Sequence, residues 1–404
     1  MKIAFLTSIY SKHAELIYKQ NPSLHQKTSD EQMDFIRWHA LSAYVRWIPL
    51  LEDKGSKVIE FHHNLENVET AWAKENHIHS DLEGSILKIG LEKIKRFKPD
   101  IIFCTSPSVY IRNQFIKDLL GVLKKRPKLI AWYGADCGNE NVFKQFDLTL
   151  SNSTHLVENL KMQGMPAEVL QHSFDPIILD KLGKSIEKKN RITFFGNLDN
   201  KSEDFKARTK FIYRITKDIS EFDVYGDFSR PNIYESSKFY LLEKRTKLSS
   251  ALLKISNSPK LQYWSNPNNL PPSPWTFSKE FVSSIRAPLF GHEMLTKLNN
   301  YQIAFNYHNK HTGDCSCNMR MFEATGLGCC LLTDYKSNIH TLFEEGKEVV
   351  TYKTIEEAIA KANYLLENPQ ISRQIGLAAQ KKTLSEFNSM RQIDDLFYII
   401  QNSL

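Results

Sequence analysis

The chain has 404 residues, of which 41% are hydrophobic and 25% are charged, a composition typical of globular proteins. Its 53 basic and 46 acidic residues give a net charge of +7, an excess too small and too widely spread to indicate a nucleic-acid partner. The length favours two domains. The sequence contains no run of about 18 apolar residues, so we expect no membrane span.

The N-terminal residues 2–8 form a short apolar run that predicts a first strand. They lack the apolar core and cleavage site of a signal peptide, so we expect a cytoplasmic protein. The loop after this strand carries His13, a candidate catalytic residue, although a single loop histidine is more often only solvated. Residues 34–51 are amphipathic and aromatic, and they predict a segment that packs on the first sheet and ends near Pro49.

Apolar runs alternate with helical segments through the first half of the chain, which predicts a parallel, doubly wound α/β sheet. The predicted strands after the first cover residues 57–61, 101–104, 129–133, 148–151 and 169–170. No G-x-G-x-x-G follows the first strand, so a nicotinamide or flavin enzyme is disfavoured.

Two further candidates for catalysis follow predicted strands in this half. Asp136 comes after residues 129–133, and His172 comes after the last short strand. Loops at the carboxyl ends of parallel strands build binding sites, which favours a role in chemistry. The alternatives are structural, since Asp136 could cap the next helix and His172 could be a turn residue.

Residues 180–190 are charged and lack apolar periodicity, which predicts a linker between two domains. Residues 191–195 then predict the strand that opens a second sheet, ending in Gly196 and Asn197. Residues 222–225 predict its second strand. Residues 228–289 give no clear pattern, and they are either a family-specific loop or a lid over an acceptor.

Residues 301–334 are the most informative stretch, with two apolar strands joined by a polar loop and a short helix. Asn318 is the predicted N-cap of that helix. A helix that starts at the carboxyl end of a parallel sheet presents free N–H groups and a positive dipole end to an anion. The arrangement therefore favours a site for an anionic, nucleotide-type ligand. The alternative is an ordinary βαβ crossover with a polar loop that binds nothing.

The side chains of this helix suit such a ligand. Arg320 and Glu323 are expected to project in neighbouring directions, with Met319 and Phe322 facing the core. A cation suits a phosphate and a carboxylate suits a sugar diol, although Arg320 could equally pair with Glu323.

Other positions around the helix add to the predicted site. Lys310 and His308 lie in the preceding loop, where Lys310 is a candidate cation for a diphosphate. Gly326 and Gly328 allow close approach of the backbone at the turn into the next strand.

Residues 318–352 resemble the donor-binding end of GT-B glycosyltransferases, in particular the spore-maturation-protein (CgeB-like) group. The shared pattern is an N-x-R-x-F-E-A-x-G-x-G helix, a strand ending in Thr-Asp, and an F-x-x-G-x-E-V-x-x-Y segment. The resemblance implies two Rossmann-like, doubly wound domains that face a cleft, and a C-terminal helix that crosses back to the first domain. The implied limits are residues 1–182, 190–387 and 388–404.

The resemblance also implies an activity: transfer of a sugar from a nucleoside-diphosphate sugar to a polar acceptor, such as a bacterial surface glycan or glycolipid. Glu323 would bind the ribose hydroxyls, while the helix start and the glycines face the diphosphate. Gly196 and Asn197, at the start of the second domain, would lie near the interdomain cleft and belong to the donor site. No cofactor or metal is expected, because protein cations stabilise the leaving group in such enzymes. The base would come from the first domain, with Asp136 preferred to His172 and His13. Peripheral contact with the inner membrane face is a further expectation.

Position 315 departs from the family pattern. Many retaining GT-B enzymes carry a second glutamate eight residues before the one that matches Glu323, and this chain has Cys315 there. The resemblance therefore does not support retention of configuration. A metal held by His311, Cys315 and Cys317 is an alternative to plain reduced thiols. A noncatalytic nucleotide-sugar-binding protein and a nucleotide-sugar epimerase on the same fold are the alternative functions.

Overall fold

The computed structural model describes residues 1–41, 43–78, 85–112, 114–134, 139–183, 187–198, 203–228, 233–256, 258–270, 277–308 and 313–403. The chain divides into two compact units. One consists of Met1–Thr193 with Leu289–Leu404, and the other is Phe194–Pro288. These units differ from the predicted domain limits, because Leu289–Leu404 forms one unit with Met1–Thr193. The domain limits stay a prediction.

The N-terminal sheet has the strand order β2-β1-β3-β4-β5-β6 among the described residues, and all its pairs are parallel. The strands are β1 (Lys2–Thr7), β2 (Lys57–His62), β3 (Ile101–Cys104), β4 (Lys128–Trp132), β5 (Leu148–Ser151) and β6 (Ala167–Val169). The predicted strands of this half are thus confirmed, and the ends that differ do so by one or two residues. Runs of apolar residues identify such strands because both faces of a parallel sheet are covered by helices.

The helices of this half are α1 (Ser11–Gln20), α2 (Ser29–Ala40), α3 (Ala43–Asp53), α4 (Glu66–Glu75), α5 (Ile86–Phe97), α6 (Pro107–Arg112), α7 (Phe115–Val122), α8 (Thr154–Met162) and α9 (Ile177–Leu182). The predicted segment 34–51 is therefore two helices, and its predicted end near Pro49 was wrong. Leu41 ends α2 with a left-handed φ of 41°, and α3 continues past Pro49.

A second sheet has the strand order β11-β10-β9-β7-β8. Its strands are β7 (Lys189–Phe195), β8 (Phe222–Tyr225), β9 (Tyr301–Asn306), β10 (Cys330–Asp334) and β11 (Val350–Tyr352). The predicted linker 180–190 was wrong at both ends, because α9 and β7 extend into it. The end of α9 and the start of β7 are rich in charged residues, so the sequence shows no apolar periodicity there.

The helices after β7 are α10 (Glu203–Asp218), α11 (Ile233–Leu252), α12 (Pro259–Ser265), α13 (Lys279–Ser284), α14 (Gly291–Asn299), α15 (Met319–Gly326), α16 (Ile339–Leu342), α17 (Ile355–Glu367), α18 (Pro369–Glu386) and α19 (Ser389–Ser403). The segment 228–289, which gave no pattern, is largely helical where it is described. None of the described helices is long and apolar enough to cross a bilayer.

The C-terminal helix packs on the N-terminal sheet, as predicted. Ile393, Leu396 and Ile400 are buried in one cluster with apolar residues of β1, β3, β4 and β5. The indole N–H of Trp47 in α3 donates to Gln392 Oε1 over 2.6 Å. Burial of each large aliphatic side chain stabilises this docking by roughly 1.5–3 kcal/mol.

Candidate donor site at the start of α15

Asn318 caps α15, as the sequence predicted. Its side-chain oxygen accepts from the backbone N–H of Met321 over 3.3 Å, and the helix begins at Met319. Its amide nitrogen donates to Asn306 Oδ1 over 2.8 Å, which ties the cap to the end of β9. One of the free N–H groups at the helix start is thereby used, and the helix is anchored on the sheet.

A buried polar network lies at the carboxyl ends of β9 and β10. The amide of Asn306 donates to Thr333 Oγ1 over 2.9 Å. The backbone N–H of His308 donates to Asp334 Oδ1 over 2.9 Å, and the His308 ring nitrogen Nδ1 lies 2.7 Å from the same oxygen. Burial would raise the pKa of the Asp334 carboxyl, but His308 and Lys336 outweigh it and hold that pKa below its usual value.

The sequence prediction included His308 but gave no role to Asn306. A polar residue at the end of an otherwise apolar strand was the available signal. The network fixes the orientation of His308, whose role in donor binding stays a prediction. Lys310, Asn309 and His311 lie outside the described residues.

Arg320 and Glu323 form an ion pair one turn apart on α15. Arg320 Nη1 lies 2.5 Å from Glu323 Oε2, and the two side chains are 22% and 16% exposed. Arg320 Nη1 also lies 2.6 Å from the sulfur of Met294 in α14. The pairing shows that the two charges are adjacent, as predicted, and that each side chain helps to hold the other in place.

Glu323 borders a cavity of about 20 Å³, which is the size of a single water molecule. Met319 lines the same cavity and is half-buried, so its predicted place in the core was wrong. Residues 319 and 323 are four apart and share one helix face. Phe322 is fully buried, as predicted, together with Met321.

The two glycines of α15 and the following turn serve packing. Gly326 is buried, and a Cβ at this position would lie 2.6 Å from Phe174 Cδ1. Gly328 has a φ of 73°, a conformation that glycine adopts without strain, and it contacts Gln380. The side chain of Phe174 thus lies close to the backbone of Gly326, where a larger residue would not fit. A direct role of either glycine in donor binding stays a prediction.

His13 lies in α1, next to the start of α14, so its predicted place in a loop was wrong. Its ring stacks on Phe290 with centroids 5.3 Å apart, and it adjoins Gly291. Burial, with a smaller contribution from the nearby His39, lowers the pKa of His13 to about 4. The imidazole is therefore neutral at pH 7, the form that a general base requires. Helix α14 also carries Met294, so one short helix contacts both His13 and Arg320.

His172 is almost completely buried. Its ring lies 5.2 Å from the ring of Trp132 and 6.3 Å from that of Phe322, measured between centroids. Burial lowers the pKa of His172 to about 3. An aromatic setting of this kind suits a packing residue, and the catalytic role of His172 stays a prediction. Asp136, the preferred base, lies outside the described residues.

Gly196 and Asn197 belong to the second unit. The backbone N–H of Gly196 donates to the carbonyl of Tyr225 over 3.0 Å, which continues the pairing of β7 with β8. A Cβ at Gly226 would overlap the carbonyl of Gly196, so the two turns pack closely. Their predicted role in donor binding stays a prediction.

The thiols of Cys315 and Cys317 are hydrogen-bonded to each other and buried. This hydrogen bond lowers the pKa of Cys315 to about 6 and raises that of Cys317. The carbonyl of Cys317 accepts from the amide of Asn152, at the end of β5. Among the described residues no three potential ligands lie close enough to hold a metal.

Residues 245–397 match a protein family described as glycosyl transferase-like. The chain has no significant match among curated proteins. Several solved structures are similar over the whole chain. HepE from Anabaena, in complex with UDP and glucose, is 12% identical with a TM-score of 0.53, and 100% of each chain is covered.

Two other solved structures are similar over the same extent. Sucrose-phosphate synthase from Thermosynechococcus elongatus is 7% identical with a TM-score of 0.57, and 100% of each chain is covered. An alpha-glucosyltransferase in complex with UDP-glucose and DNA is 10% identical with a TM-score of 0.58, and 99% of each chain is covered. At these identities the likeness shows the fold. The chain therefore has the GT-B fold, and its residues 245–397 are similar to the glycosyl transferase-like family.

Proposed function

We propose that this protein transfers a sugar from a nucleoside-diphosphate sugar, with UDP as the nucleotide, to a polar acceptor. The observation that carries the proposal is the capped start of α15, with the Arg320–Glu323 pair beside it, inside the segment that matches the family. UDP is favoured because HepE and the alpha-glucosyltransferase, which share the fold, were solved with UDP or UDP-glucose.

In this proposal the N–H groups at the start of α15 and the guanidinium of Arg320 stabilise the diphosphate as it leaves. Glu323 accepts hydrogen bonds from the ribose hydroxyls, as the resemblance implies. The ion pair holds both groups before the donor arrives, so little reorganisation is needed on binding. Such preorganisation is how protein cations take the part that a metal plays in other enzymes.

The acceptor hydroxyl needs a base. Between the two described candidates the geometry favours His13, because it is half-buried beside α14, whereas His172 is enclosed by aromatic rings. Asp136 remains the preferred candidate from the sequence. A bacterial surface glycan or glycolipid as acceptor, a cytoplasmic location, membership of the CgeB-like group and the lack of a nucleic-acid partner are parts of the proposal that rest on the sequence.

Calorimetry with UDP, GDP and CDP tests the donor site. We expect UDP to bind the wild-type protein and Glu323→Gln to weaken binding about tenfold, since one charged hydrogen-bond acceptor is lost. Glu367→Gln is the matched control, because Glu367 is exposed at the end of α17. If no nucleotide binds the folded protein, the proposed donor class is wrong.

Turnover is a separate question from binding. Release of UDP from UDP-sugars, measured with and without glycan acceptors, distinguishes an enzyme from a binding protein. Tight UDP binding with no release, and no sugar isomer formed, would favour the noncatalytic alternative. Formation of a sugar isomer without transfer would favour the epimerase.

A further inference from the structure

The sulfur of Cys315 lies at the start of helix α8, among several hydrogen-bonding groups. The side-chain amide of Asn338 donates to this sulfur over 3.3 Å, and the hydroxyl of Thr154 lies 3.8 Å from it. The backbone N–H of Thr154 and the hydroxyl of Ser153, the N-cap of α8, also hydrogen-bond to it. A sulfur that accepts from several donors at the positive end of a helix is stabilised as a thiolate, the reactive form of cysteine.

The thiol of Cys317 is the partner of this sulfur. The hydrogen bond between the two sulfurs is the main cause of the lowered pKa of Cys315 and of the raised pKa of Cys317, so Cys317 is the donor. Both side chains are 1% exposed, although they directly follow the exposed residues Gly313 and Asp314 in the chain. A thiolate in contact with a thiol is the arrangement that closes to a disulfide once the thiolate is oxidised.

The cysteines at the start of β10 differ from this pair. Cys329 and Cys330 are fully buried, and consecutive residues of a strand point to opposite faces of the sheet. The sulfur of Cys329 donates to the carbonyl of Leu298 over 3.6 Å, and burial raises the pKa of both thiols. They are therefore packing residues, and the contrast makes them internal controls.

We propose that Cys315 and Cys317 form a site of reversible oxidation by a hydroperoxide. The Cys315 thiolate attacks one peroxide oxygen, the O–O bond breaks, and the products are Cys315 sulfenic acid and hydroxide. The sulfur of Cys317 then attacks the sulfur of Cys315, the S–S bond forms, the S–O bond breaks, and water leaves. Two thiols and one hydrogen peroxide thus give one disulfide and two water molecules. Burial of both sulfurs restricts the reaction to small oxidants.

The pair directly precedes the cap of the candidate donor helix. The carbonyl of Cys317 accepts from Asn152, the N–H of Ser316 donates to Asn338 Oδ1 over 2.6 Å, and Asn318 caps α15. A bond between the two sulfurs displaces this backbone and, with it, the cap. We therefore expect the oxidised protein to bind UDP at least about tenfold more weakly than the reduced protein, a consequence that rests on the proposed function.

Intact-mass spectrometry of the folded full chain, treated with hydrogen peroxide, tests the site itself. We expect the mass to fall by that of two hydrogen atoms, peptide mapping to place the bond between Cys315 and Cys317, and dithiothreitol to restore the original mass. Cys317→Ser should stop at the Cys315 sulfenic acid, which dimedone traps at least about tenfold faster than it labels Cys329. Cys315→Ser should not form the bond.

Cys329→Ser is the matched control, because it removes a buried thiol outside the pair and should oxidise within about twofold of the wild-type rate. Thermal melting checks that each variant is folded. The proposal is wrong if peroxide oxidises the thiols of the denatured chain but leaves the mass of the folded protein unchanged, or if the bond joins other cysteines. It is also wrong if the purified protein holds zinc that shields both thiols until a chelator removes it, since they would then be ligands.

Calorimetry with UDP on the reduced and oxidised forms tests the consequence for α15. Equal binding by the two forms would show that the disulfide does not reach the donor helix. If the reduced protein binds no UDP, the proposed donor class fails, and the mass measurements still decide the oxidation site.

Discussion

The ring of Phe174 occupies the space that a side chain at Gly326 would need, with Cδ1 2.6 Å from the position of a Cβ. Phe174 follows the N-terminal sheet, and Gly326 ends α15. The two residues are far apart in sequence, yet their contact decides how closely the candidate donor helix approaches that sheet.

Gly326→Ala should therefore destabilise the protein by about 1–3 kcal/mol, since an added methyl group must displace a buried ring. Melting temperature and denaturant unfolding measure this. Gly121→Ala is the control, because Gly121 lies in α7 with open space around its Cα. That change should be neutral or stabilise slightly by helix propensity. Equal effects at the two positions would contradict the packing argument.

Gly291 gives a sharper test of backbone contact. Its φ is +48°, and a Cβ there would lie 2.7 Å from the carbonyl oxygen of Ala40, closer still to that of His39, and 2.9 Å from His13 Cε1. Gly291→Ala should destabilise the protein by about 3 kcal/mol or more, because strain and overlap add. It should also lower any transferase activity by moving His13.

Gly313→Ala separates backbone strain from steric overlap, the two causes of the stability loss expected for Gly291→Ala. Gly313 has a φ of +57° and nothing within 4 Å of a Cβ, so only backbone strain of about 1 kcal/mol is expected. Unfolding experiments on the two variants measure the difference. If Gly313→Ala were as harmful as Gly291→Ala, the close contact with α2 would not be the cause.

The Arg320–Glu323 pair should contribute to stability before any ligand binds. Glu323→Gln removes the negative charge beside the half-buried guanidinium of Arg320, and we expect a loss of about 1–2 kcal/mol in the free energy of unfolding. A double-mutant cycle with Arg320→Gln measures the coupling directly. Glu344→Gln is the control, because both side chains of its pair with Lys347 are exposed and the pair should contribute nothing measurable. No coupling in the cycle would show that the pair is incidental.

His172 should make stability depend on pH. Its pKa is about 3 in the folded protein and about 6.5 in the unfolded chain, so between these values the unfolded chain binds more protons. Stability from this group is complete above pH 6.5 and falls with decreasing pH, by about 1.4 kcal/mol per pH unit, down to pH 3.

Melting temperatures between pH 4 and pH 8 check the His172 prediction. His172→Gln should flatten the dependence, whatever it does to stability at pH 8. His155→Gln should leave the dependence as in the wild type, because His155 is exposed. An unchanged slope in His172→Gln would mean that another group is responsible.

Local patterns in the sequence determined most of the secondary structure near the candidate site. The strands at 101–104 and 148–151 were predicted with their observed limits. Residues 101–104 are apolar throughout, as is typical of buried parallel strands, and Leu148 and Leu150 mark the second strand. Asn318 was identified as a cap because the hydrogen bond that defines a cap is local. The adjacency of Arg320 and Glu323 followed from helix geometry alone.

The tertiary structure decided what those elements contact. The sequence could not place Phe174 against Gly326, His172 between Trp132 and Phe322, or Asp334 against His308, because each contact joins residues that only the fold brings together. The segment that contains α11 gave no clear secondary-structure pattern for a related reason. Apolar residues lie all around this helix, with Leu241 and Leu248 exposed and Leu242 half-buried, so no single apolar face marks the side that packs inward.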